Sequence, residues 1–80
     1  MQLNILLFGI TKEIVGQQKV KFDMPEQASV GNLLKSLKQA YPGLESLDAM
    51  LVAVNSEYGQ QNQILHESDE IAIIPPVSGG

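Results

Sequence analysis

Eighty residues allow one small domain, near the lower size at which a single hydrophobic core holds without cross-links, metals or a partner. Hydrophobic residues make up 44% and charged residues 18%, which places the chain among folded rather than disordered sequences. No cysteine is present, which excludes disulfides, thiolate zinc sites and thiol nucleophiles; the net charge is -4 and every basic residue is lysine, which leaves no arginine fork for phosphate or guanine and argues against nucleic-acid binding.

Gln2 to Phe8 predicts the first strand, with Leu3, Ile5 and Leu7 on one face and Leu6 and Phe8 on the other. Apolar residues on both sides predict a strand covered on both faces, with Asn4 as the one polar interruption. Ile10, Ile14 and Val15 have helical spacing over a short segment that Gly16 ends. Lys19 to Met24 alternates strictly, Val20, Phe22 and Met24 against Lys19, Lys21 and Asp23, and so predicts a strand with one wet face. After Pro25, Ser29 is an N-cap for a helix whose stripe is Val30, Leu33, Leu34, Leu37, Ala40 and Tyr41, stopped by Pro42-Gly43.

Leu51 to Val54 begins another buried strand, Asn55 to Gly59 carries turn residues, and a weaker extended stretch ends at Ile64 and Leu65. His66 to Glu70 is a polar turn into Ile71-Ala72-Ile73-Ile74, a run expected to be buried on both faces at the sheet centre. The order is strand, strand, helix, strand, weak strand, strand. With the first and last strands as parallel neighbours and one helix as cover, this is an α+β fold of the β-grasp type, a mixed sheet packed on one main helix. The expected division is residues 1–74 as the domain and 75–80 as an extended, flexible tail. No apolar run approaches the ~20 residues of a membrane span, and no signal-peptide pattern opens the chain. A soluble, cytoplasmic protein is therefore expected.

The tail is Pro75-Pro76-Val77-Ser78-Gly79-Gly80. The two prolines leave the ladder and favour extension, and six extended residues reach about 20 Å. Gly79 and Gly80 are thin enough to let the terminal carboxylate enter a narrow channel and approach a bound nucleotide. A carboxylate is an anion and a poor electrophile at neutral pH, so modifying it requires activation by ATP, with an acyl-adenylate as the activated form. Two glycines at a terminus are also what a frayed end or a cloning remnant carries; the diproline and the β-grasp order beside them favour function.

Three stretches resemble the small, sulfur-carrying subunits of molybdopterin synthase, a ubiquitin-like family. They are Ile5-Leu6-Leu7-Phe8-Gly9 with Lys12-Glu13 and Gly16, then Leu51-Val52-Ala53-Val54-Asn55, then Asp69-Glu70 through Gly80. The last is the most specific. The resemblance implies that a ubiquitin-activating-type enzyme adenylates Gly80 and that a sulfur donor protein converts the adenylate to a thiocarboxylate. The tail would then dock into the large synthase subunit, in an expected heterotetramer, and pass sulfur to cyclic pyranopterin monophosphate to build the molybdopterin dithiolene. It implies no tightly bound cofactor; ATP is used by the partner enzyme, and the catalytic groups belong to the large subunit. Family members often have Arg where Lys12 stands and Gly where Ser68 stands, so a bidentate contact at Lys12 is in doubt, and Ser68 implies a turn without obligatory positive φ.

Phe8 has two expected roles. Aromatic residues are usually buried, which favours core filling at the end of the first strand over an apolar docking surface beside the tail. Val77, beyond the prolines, is expected at an interface. Glu67, Asp69 and Glu70 read as a solvated turn rather than as steering charges, and His66 has no nearby partner to make a metal site. Two further functions share the Gly-Gly terminus: a sulfur carrier for thiazole or another acceptor, and a ubiquitin-like modifier forming isopeptide bonds.

Overall fold

A computed structural model describes residues 1–47 and 50–75. The elements are β1 (Gln2–Leu7), α1 (Gly9–Val15), β2 (Lys19–Asp23), α2 (Val30–Ala40), a 3-10 turn (Pro42–Ser46), β3 (Leu51–Val54), β4 (Glu57–Tyr58) and β5 (Glu70–Ile74). One five-stranded sheet has the order β2-β1-β5-β3-β4. β1 and β5 are parallel, with Ile5 beside Ile71 and Leu7 beside Ile73; the other neighbours are antiparallel. This is the β-grasp order expected from the sequence. No helix among the described residues is long and apolar enough to cross a membrane.

The core lies between α2 and one face of the sheet. Leu3, Ile5 and Leu7 of β1, Ile71 and Ile73 of β5, and Leu33 and Leu37 of α2 are all fully buried there. Only that face is covered, which corrects the expectation for the two central strands. Asn4 is exposed, and Leu6, Ala72 and Ile74 are only partly buried. One main helix shields one side of a sheet, so the alternate residues of β1 and β5 face outward although they are apolar.

Three local differences have local causes. Asn55 and Ser56 both adopt positive φ, 53° and 70°, the two-residue turn geometry that matches strand twist. β4 therefore starts at Glu57, inside the segment expected to be a turn, and the stretch toward Leu65 is a loop. There Ile64 makes an isolated bridge to Ser29, and Leu65 donates its N–H to the Ala28 carbonyl at 2.8 Å. Ala40 is exposed despite its place in the helical stripe; beyond it the 3-10 turn carries Leu44 into the core instead. Phe22 is half-buried on the edge strand β2, with Val20 more deeply buried beside it.

Ser29 begins α2 as the sequence indicates. The Asn32 N–H donates to Ser29 Oγ at 3.2 Å, and the Ser29 N–H donates to Asn32 Oδ1 at 3.0 Å, so two otherwise unpaired donors are satisfied reciprocally. Ser29→Ala is expected to lower stability by about 1 kcal/mol, read as a lower urea midpoint with unchanged slope; an unshifted midpoint would show that the cap contributes nothing.

Candidate functional site: the root of the C-terminal tail

Because β1 and β5 run parallel, both leave the sheet at the same edge, and the chain after β1 meets the chain after β5. Phe8 keeps extended dihedrals (φ -127°, ψ 153°) and so continues the alternation of β1 onto the face of Leu6. Phe8 is 44% exposed, which overturns core filling as its role. The reason is the single-sided cover: the face it falls on has no helix. Leu51, opposite Ile74 in the β3–β5 ladder, is 49% exposed at the same edge, and Ile10 is exposed in the first turn of α1.

Gly9 joins Phe8 to α1 with φ 56°, a left-handed conformation that suits glycine. A Cβ at this position would stand 3.1 Å from Cγ of Pro75. The first tail residue thus rests half-buried on the bare backbone of Gly9. Pro76, Val77, Ser78, Gly79 and Gly80, all expected to act in the tail, lie outside the described residues.

The outer face continues from this root as a cross-strand row in which Leu6 lies beside Ala72, Ala72 beside Ala53, and Ala53 opposite Tyr58. Ala53 is buried even here, small and flanked on both sides by strands, while Tyr58 on the edge strand is exposed. Together with Phe8, Ile74 and Leu51, the row makes the outer face apolar where the tail departs.

The acidic turn lies at the opposite end of β5. Asp69 accepts from Asn55 Nδ2 through Oδ1 and from the His66 N–H through Oδ2, both at 2.8 Å, while the Glu70 N–H donates to Asn55 Oδ1 at 2.9 Å. Glu67 Oε1 accepts from the Gln2 N–H at 3.1 Å. These groups close turns and tie the β3–β4 hairpin to the start of β5. Beside them is an open depression of about 290 Å³, lined by Asn4, Leu6, Lys19 and residues 67–70. Among the described residues no group of three or more His, Asp or Glu side chains is arranged to hold a metal ion.

A family model, described as the ThiS family, matches residues 5–80. The chain belongs to the ThiS family. It is 45% identical over 83 residues to the molybdopterin synthase sulfur carrier subunit of Dictyostelium discoideum, covering 99% of this chain and 96% of the relative. The protein of the same name in Homo sapiens is 35% identical over 83 residues, covering 99% and 94%. The crystal structure of SAMP1 from Haloferax volcanii superimposes with a TM-score of 0.84 at 32% identity, over 100% of both chains. ThiS-family membership agrees with the sulfur-carrier reading of the sequence, and the SAMP1 likeness confirms the fold.

Two residues of this site escape sequence reasoning. Gly9 looks like a simple helix boundary, and its contact with Pro75 joins opposite ends of the chain. Thr11, fully buried, bonds to the backbone of Phe8; its local signal is a hydroxyl residue three positions after Phe8, a spacing that many surface turns share.

Proposed function

We propose that this ThiS-family chain is the sulfur carrier subunit of a molybdopterin synthase and works in the cytoplasm, with Gly80 as the point of attachment. The observation that carries the reading is the tail root: Pro75 is seated on Gly9 at the edge where the central strands end, beside the exposed Phe8 and Leu51. A partner that receives the tail must cover the surface from which it departs, and that surface is apolar. The large synthase subunit is this partner.

In the proposed cycle an adenylating enzyme of the ubiquitin-activating type uses ATP to join AMP to the Gly80 carboxylate, releasing pyrophosphate. Sulfur delivered by a donor protein at the oxidation level of sulfide then attacks the acyl carbon, AMP leaves, and a thiocarboxylate remains, a stronger nucleophile than the carboxylate it replaces. The large subunit supplies the groups that pass this sulfur to cyclic pyranopterin monophosphate. The carrier itself holds no cofactor; its part is to present a thin, reactive end on a rigid base.

Intact mass after incubation with ATP, a matching adenylating enzyme and a sulfur donor tests the reading. The expected result is a gain equal to replacing one oxygen by sulfur, followed by its loss when the large subunit and precursor are added. Covalent adducts on other proteins with no sulfur retained would identify a modifier instead. Sulfur retained but not released to the pterin precursor would point to a carrier for another acceptor.

A further inference from the structure

Thr11 is the one buried polar residue among the described residues, and it is fully buried. A valine would fill the same space without burying a hydroxyl or its hydrogen-bonding demand. The hydroxyl is satisfied entirely by one residue: Thr11 Oγ1 donates to the Phe8 carbonyl at 2.6 Å and accepts from the Phe8 N–H at 3.2 Å. The Thr11 N–H also donates to the Phe8 carbonyl, at 3.2 Å. On the β2 side the Leu7 N–H donates to the Gln18 carbonyl at 2.8 Å, and on the β5 side Leu7 pairs with Ile73. Phe8 follows the last paired residue of β1, and Thr11 bonds both of its backbone polar groups.

The consequence reaches the tail. Phe8 carries the exposed ring, and the next residue, Gly9, forms the seat of Pro75. Holding both backbone polar groups of Phe8 holds the main chain that carries the ring and leads into the Gly9 seat. A main chain held beforehand loses less freedom on docking than one that the partner must order.

We propose that Thr11 is a positioning residue for partner docking: its hydroxyl clamps the Phe8 main chain so that the Phe8 ring and the Gly9–Pro75 contact form one preset apolar step for the subunit that receives the tail. The inference rests on the sulfur-carrier reading. It assigns to a buried residue, which touches no partner, control over how well an exposed one binds.

The test uses the full chain and the large synthase subunit, with affinity measured by calorimetry for wild type, Thr11→Val, Thr11→Ser and Phe8→Ala. Thr11→Val removes both hydroxyl hydrogen bonds to Phe8 and is expected to weaken binding about tenfold, and Thr11→Ser, which keeps the hydroxyl, to bind as wild type does. Hydrogen exchange at the Phe8 amide should accelerate in Thr11→Val and stay slow in Thr11→Ser, a readout that general loosening of the core would not confine to that amide. Equal weakening in Val and Ser variants, or wild-type affinity in Thr11→Val while Phe8→Ala binds poorly, overturns the clamp and leaves the carrier reading standing. Absence of binding by wild type overturns both.

Discussion

Deleting Gly80 is expected to abolish sulfur loading while leaving the domain as stable as before. The new terminal carboxylate, on Gly79, is drawn back by roughly 3.5 Å, the length of one extended residue. Reacting atoms must approach within about 3 to 3.5 Å in a defined direction, and a displacement of about 1 Å can cost on the order of a hundredfold in rate. A loss of at least about a hundredfold in thiocarboxylate formation follows, read by intact mass over time. Among the described residues the buried core runs from Leu3 to Ile73, so the unfolding free energy should stay within about 0.5 kcal/mol of wild type. Sulfur gain at the wild-type rate would remove Gly80 from the chemistry, and a large drop in stability would place it in the core.

Truncation of Leu33 should do the opposite, weakening the fold while leaving Gly80 in place. Leu33 is fully buried on α2 and belongs to the same cluster as Ile5, Leu7, Ile71 and Ile73. Leu33→Ala is expected to cost about 2 to 5 kcal/mol, from lost burial and the cavity left behind. A domain of this size has a total stability of about 4 to 12 kcal/mol at ordinary values per residue, so the variant is expected to be marginal. Urea denaturation checks this, with Leu51→Ala as the exposed control, for which a change within about 0.5 kcal/mol is expected. A Leu33→Ala loss below about 1 kcal/mol would mean that α2 does not carry the core.

The legible parts of the fold were those whose signal is local and periodic. Val30, Leu33 and Leu37 mark the core face of α2, Ser29 marks its start, and Val20 and Met24 mark the inner face of β2 and its exit. Pairing of β1 with β5 followed from two apolar runs at the chain ends with one long helix between them. The sequence places the turn at Asn55 but extends it to Gly59, because Asn55-Ser56 lacks the glycine that usually announces positive φ at both central positions of a two-residue turn. Phe8 reads as core filling because aromatic residues are usually buried, whereas this one marks where cover runs out.

The sequence by itself determined the class of fold and the single core-facing helix, because alternation and helical spacing each act over a few neighbouring residues. Only the tertiary structure decided that the central strands are covered on one side, that Phe8 and Leu51 stand exposed where the tail departs, and that Pro75 rests on Gly9. The physical reason is that an apolar residue on the second face of a strand reads the same whether another layer lies over it or water does. The cover, and the seat of a residue from the far end of the chain, exist only once distant segments have packed.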